Sequence, residues 1–333
     1  MPLPFILAGL ALAAAGYGVK KGVDAKEDFD TAERFNKLAK TKYDNANNIL
    51  ENKRKSTDTL LKSLGKLKVS IYEGSLTNFV DIFSQIKNVD FEDNLDIGLL
   101  NSVSEQDVLD IKNVVLEMQE ILGGGVAALG SGALAGFGAL GGVGMLASAS
   151  TGTAIASLSG VAATNATLAW FGGGSLAAGG FGMAGGMAVL GGIVAGPVLA
   201  VGGMMLASKA DEAKHTAYQN YDKATAAVEQ MDSACVVLDG IQRRTEEFID
   251  ILKPLNDTFE EYIETLEKIV NVSDDYRAYS QSEKEQVMIT ASIATTVKNI
   301  CDTAIIDADG KVTKISQQVL QKAKELTQKL SEV

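Results

Sequence analysis

Charge is missing from one quarter of this chain. From Ile121 to Ser208 there are 88 residues without a single Asp, Glu, Lys, Arg or His. Histidine is nearly absent everywhere, with one residue, His215. That excludes multi-histidine metal sites and argues against acid–base catalysis at neutral pH. Two cysteines, Cys235 and Cys301, cannot build a disulfide framework and suit a reducing compartment. There is no excess of basic residues: the net charge is −12, which argues against nucleic acid as a partner, since that requires a basic face. Proline is scarce, with four residues and none between Pro4 and Pro197, so nothing in that interval forces a helix to break.

What is present divides sharply. All 72 charges lie outside the uncharged block, whereas 25 of the 34 glycines lie inside it. A water-exposed helix loses about 1 kcal/mol for each Gly in place of Ala, so so much glycine is out of place in water. In lipid the backbone must bond internally, which forces helix, and small residues let helices approach closely. Four GxxxG spacings occur, Gly132/Gly136, Gly138/Gly142, Gly182/Gly186 and Gly192/Gly196. They are the expected helix-packing residues of a membrane-inserting region. The other reading is a hairpin tucked inside the protein's own bundle.

The block also carries an internal match. GSGALAGFGALGG (130–142) and GSLAAGGFGMAGG (174–186) agree at 8 of 13 positions, at an offset of 44 that halves the block. Two such units would make two helical hairpins and return the chain to the side it left. GFGALG (136–141) and GFGMAG (180–185) match the dinucleotide pattern GxGxxG. Neither follows a strand-like segment or precedes an acidic residue by about twenty positions, so no cofactor is expected. Trp170 and Phe171, between the two units, suit a membrane interface. Lys20 and Lys21 suit the same role, because they close an apolar N-terminal segment (1–19).

Two charged arms flank the block. Along 20–120, Ala25, Phe29, Ala32, Ala39, Tyr43, Ala46, Leu50, Thr57, Leu60, Leu64, Leu67 and Ile71 recur in steps of three, four and seven. One helix reaching about Val89 would be ~100 Å long. A loop is expected at 88–98. A new helix follows, with Ser104 as N-cap and Asp107 three residues on. Along 209–272, Ala217, Tyr221, Ala224, Val228, Met231, Cys235, Leu238, Thr245, Ile249 and Leu252 continue the spacing, with a kink expected at Pro254. Residues 273–333 read as a helical appendage with a turn at Asp309–Gly310. A calcium-loop register there would put Ile305 first and Ser316 twelfth, so both end ligands are missing. The fold expected is all-α: long antiparallel coiled-coil arms flanking a Gly-rich apolar hairpin region.

The run GVAATNATLAWFGGGSLAAGGFGMAGGMAVLGGIVAGPVLAVGG (160–203), with GYGVKKGVDAK (16–26), resembles bacterial glycine-zipper membrane proteins. In layout the chain is also similar to the ClyA-type α-helical pore-forming toxins, although its central block is longer and richer in glycine. These resemblances imply a helical membrane protein and carry over no site residues. The function expected is insertion into a lipid bilayer that permeabilises or remodels it, with homo-oligomerisation through the glycine-zipper helices. The alternative is a constitutive membrane-anchored scaffold whose arms, on the cytoplasmic side, recruit a protein partner. No nucleophile–base pair or carboxylate pair marks an enzyme.

Overall fold

The structure is a computed structural model that describes residues 19–93, 103–122, 131–141, 210–307 and 310–330. The fold is all-α. The described helices are α1 (Val19–Ile71), α2 (Thr77–Phe83), α3 (Glu105–Leu122), α4 (Ser131–Leu140), α5 (Ala210–Val272), α6 (Gln281–Asp302) and α7 (Lys314–Leu330). A π-helical turn, Tyr72–Leu76, joins α1 to α2, and a 3-10 turn, Tyr276–Ala278, precedes α6. Among the described residues the only extended pairings are isolated bridges, Lys87 with Asp275 and Ile306 with Val312.

The described residues form two compact units. One holds 19–55 and 210–239; the other holds 56–93, 103–122, 131–141 and 240–330 without 308–309. Each long helix therefore contributes its first part to one unit and its last part to the other.

Burial on α5 repeats every seven residues. Ala217, Ala224, Met231, Leu238, Thr245, Leu252, Phe259 and Leu266 are all buried, and so are Asn220, Ala227, Ala234, Ile241, Phe248 and Leu255. A strict seven-residue period keeps one stripe of a helix on its partner over many turns. The second stripe runs one residue ahead of the expected positions: Asn220, Ala227, Ala234 and Phe248 are buried, while Tyr221, Val228, Cys235 and Ile249 are only half-buried. On α1, Ala32, Ala39, Tyr43, Ala46, Leu50, Thr57, Leu64 and Ile71 are buried as the spacing requires, whereas Phe29, Leu60 and Leu67 are only half-buried and Leu61 and Lys68 take the buried places beside the last two.

The direction of pairing differs from the expected antiparallel one. In the first unit Lys214 pairs with Asp28 (2.7 Å), Asn220 donates to Asn36 (3.1 Å), Lys42 donates to Thr225 (3.1 Å) and Lys53 pairs with Asp239. Phe35 meets Tyr218 edge-on, with ring centroids 4.5 Å apart. In the second unit Gln242 donates to Ser56 and Thr57, and the Lys68 ammonium lies 5.8 Å from the Phe248 ring. In both units the partner number rises with the α1 number, so α1 and α5 run parallel. Seam spacing selects which face is buried; it is silent on the direction of the helix that covers it. Asn36 and Asn220 satisfy each other only in this register, the use to which a polar pair in an apolar seam is best suited.

Local chemistry sets the ends of the shorter elements. Ser104 and Asp107 cap α3 reciprocally: Asp107 N–H donates to Ser104 Oγ (3.2 Å), and Ser104 N–H donates to Asp107 Oδ2 (2.9 Å). Ser280 and Glu283 form the equivalent box on α6. Pro254 lies inside α5 without ending it; it is exposed, so the carbonyl four residues back can turn to water. At the α6–α7 connection, Asp307 N–H donates to the Lys311 carbonyl and Gly310 adopts φ +76°, a conformation that glycine tolerates.

Candidate functional site

Of the uncharged block the described residues are Ile121 and Leu122, which end α3, and α4 with Gly141, which is seated in the second unit. The α4 sequence, SGALAGFGAL, is apolar throughout, and Leu134, Ala135, Phe137 and Ala139 are buried. α4 crosses α1 antiparallel through glycine. A Cβ placed on Gly138 would lie 2.0 Å from the Leu61 carbonyl oxygen, and one placed on Gly65 would lie 1.9 Å from the Leu134 carbonyl oxygen. Both contacts are to backbone, so no side-chain rotation relieves them. Glycine on both helices is what allows this approach.

The C-terminal end of α4 is held by polar groups. Gly141, at φ +61°, sends its N–H to the Phe137 carbonyl (3.0 Å), a left-handed glycine cap. A Cβ there would lie 2.6 Å from the Asp302 carbonyl carbon, so the cap is also a packing contact. Ile305 and Ile306 N–H both donate to the Ala139 carbonyl, at 2.7 and 3.3 Å. Lys68 of α1 is fully buried, with its ammonium 3.4 Å from the carbonyls of Phe137 and Gly138 and 3.5 Å from that of Thr303. The rings of Phe137 and Phe248 each lie 5.8 Å from it. A helix C-terminus carries a partial negative charge, so a cation is favoured there.

A second polar pair supports this seat. Tyr72 donates a short hydrogen bond to Asp302, which Lys298 also approaches at 3.3 Å. The π-helical turn that begins at Tyr72 is fastened by Thr77, whose hydroxyl donates to the Tyr72 carbonyl (2.6 Å), and by a Ser75–Asn256 hydrogen bond. Burial pulls the Lys68 ammonium down to about 8, against smaller upward pulls from Cys301 and Asp302. Burial pushes the fully buried Cys301 thiol up to about 12. It also drives the Tyr72 phenol well above its ordinary value, with Cys301 and Asp302 adding to the effect. Cys301 is a packed thiol closed off from solvent.

Asp302 and Thr303 also line an open cleft of about 580 Å³ between α6 and α7, walled by Ser292, Thr295, Asn299, Thr313 and Lys322 among others. Several of its hydroxyls are already spent on the helix backbone: Thr295 donates to the Ala291 carbonyl and Thr303 to that of Asn299.

Of the expected packing residues, Gly138 sits at the α1 crossing and Gly136 is buried in α4. Gly132 lies in the first turn of α4. Gly142, Gly182, Gly186, Gly192, Gly196, Trp170 and Phe171 lie outside the described residues. Lys20 and Lys21 lie in the first turn of α1. Among the described residues no helix is long and apolar enough to cross a membrane. Gly65, Lys68, Tyr72 and Asp302 were not expected from sequence. A lone glycine in a charged helix was the available signal, because it often marks a close approach. Lys68, four residues after Leu64 on the seam, read as an ordinary charged position. No protein-family model, curated protein or solved structure matches this chain.

Proposed function

We propose that this is a membrane-inserting α-helical protein. Its uncharged region enters a bilayer and permeabilises or remodels it, oligomerising through glycine-lined helices, while the charged helices stay in the aqueous, cytoplasmic phase. The observation that supports this reading most is the seat of α4. A glycine-rich apolar helix, costly to hold in water, is kept on a body of charged helices by backbone contact and a buried lysine. A 10-residue helix rises about 15 Å, so α4 alone is too short to span a ~30 Å hydrocarbon core. Insertion would draw on the rest of 121–208. Flotation with liposomes, carbonate extraction of membranes and release of a trapped dye test the reading together. Protein that neither floats, resists extraction nor releases dye sinks it.

A second reading is a membrane-anchored scaffold that recruits a protein partner. Leu38 and Ile49 on α1 and Val236 on α5 support it, since these apolar side chains stand exposed on otherwise charged helices. It predicts stable membrane residence with unchanged permeability.

A further inference from the structure

Two properties of α4 do not suit a permanent core helix. It has 10 residues, three of them glycine (Gly132, Gly136 and Gly138). Isolated helices shorter than about 12–15 residues are marginal in water even without glycine. In water, then, α4 is helical because it is seated. In an apolar medium a detached α4 would stay helical, because its backbone groups would have no other partner. The seat also carries a standing penalty. The Lys68 ammonium is stripped of water and receives carbonyl contacts of only 3.4 to 3.5 Å, while the nearby carboxylate of Asp302 is engaged by Tyr72 and Lys298. When α4 leaves, Lys68 regains water, which recovers part of the cost of seating. The first effect favours a seat that is filled in water and vacated in lipid, and the second lowers the cost of release in either medium.

The geometry points to an autoinhibitory contact: the Leu61–Gly65 face of α1, Lys68 and the Ile305–Ile306 amides hold α4 on the body, and its departure admits the uncharged segment to a bilayer. This rests on the membrane reading above. A bilayer shifts the equilibrium only through its greater affinity for the released state, so the seat sets the threshold for insertion.

The test uses the full chain carrying Gly65→Ala. The substitution lies on α1, outside 121–208, so the lipid-active sequence is unchanged. Alanine favours helix over glycine, so α1 itself is retained. Its methyl group would meet the Leu134 backbone at 1.9 Å, which displaces α4. Amide exchange at Ile305 and Ile306 reads occupancy of the seat without lipid, because both donate to Ala139 of α4. Release of dye from phosphatidylethanolamine–phosphatidylglycerol vesicles reads insertion. Expected are at least tenfold faster exchange at the two amides without lipid, and dye release at least fivefold faster than wild type. Protected amides in G65A overturn the proposal, as do freed amides with a release rate equal to that of an active wild type. If neither protein binds vesicles or releases dye although the G65A amides are free, the membrane reading itself fails, and this inference with it. Should G65A not fold, wild type decides: vesicles must free the two amides before dye escapes, and dye loss with both amides protected overturns the contact.

Discussion

Gly65 of α1 and Leu134 of α4 meet through backbone alone, with a Gly65 Cβ position only 1.9 Å from the Leu134 carbonyl oxygen. The reciprocal contact of Gly138 with Leu61 makes the crossing two-sided. It explains why glycine is required on a charged helix and on an apolar one at the same level.

Gly138→Ala should destabilise the protein by about 1–2 kcal/mol, because overpacking against backbone outweighs the gain in helix propensity. Gly74 provides the contrast, since a Cβ there would meet nothing within 4 Å. Gly74→Ala should be neutral or stabilising, by up to about 1 kcal/mol. Urea midpoints at constant slope measure both. If the two substitutions act alike, close approach is not what Gly138 provides.

The parallel register makes a direct prediction. Asn36 and Asn220 are hydrogen-bonded across the seam of the first unit. In a Cys235→Ser background, the pair Asn36→Cys and Asn220→Cys should form an intrachain disulfide under mild oxidation, seen as a mobility shift without reductant. Failure to close this pair, with closure of a pair matched to an antiparallel register, would refute the assignment.

The groups around Lys68 set a pH profile of stability. Lys68 from α1 faces Phe137 and Gly138 of α4, Phe248 of α5, and Cys301, Asp302 and Thr303 at the end of α6. Its folded value of about 8 lies below the ordinary 10.5, so above pH 8 the unfolded chain binds the extra proton and stability rises with pH. One such proton corresponds to about 1.4 kcal/mol per pH unit. Cys301 works the other way. It keeps its proton to about 12 in the fold and loses it near 9 when unfolded, which cancels the rise above pH 9. Cys235, raised by its partial burial, acts in the same direction. Beyond pH 10, Tyr72 and Tyr276 hold protons that the unfolded chain releases, so stability falls. Stability should therefore rise from pH 8 to 9, level off and then decline. In Cys235→Ser/Cys301→Ala the rise should continue to about pH 10, and Lys68→Met should abolish it. A flat wild-type profile from pH 8 to 9 would show that Lys68 is not held as a desolvated ammonium.

Tyr72→Phe removes the hydroxyl that donates to Asp302, leaving Lys298 as the carboxylate's ion-pair partner. A hydrogen bond to a charged acceptor is worth about 1.5–3 kcal/mol, so chemical denaturation should show a loss in that range. A loss under 0.5 kcal/mol would mean that the pair contributes nothing to the seat.

Amino-acid order by itself determined the helical class, the first buried stripe of α5 and several helix ends. Those features follow from local spacing and capping chemistry, as the seven-residue run from Ala217 to Leu266 and the Ser104–Asp107 cap illustrate. α4, the described helix that lies wholly within the uncharged block, was also legible as a segment needing close apolar packing, because glycine count and missing charge are properties of composition. Tertiary structure alone decided the direction of the α1–α5 pairing, since a stripe constrains a face and not the polarity of its partner. It alone placed Lys68 inside. A lysine is soluble by default, and only the α4 carbonyls, the Phe137 and Phe248 rings and the Thr303 carbonyl, brought together from distant parts of the chain, make its burial tolerable.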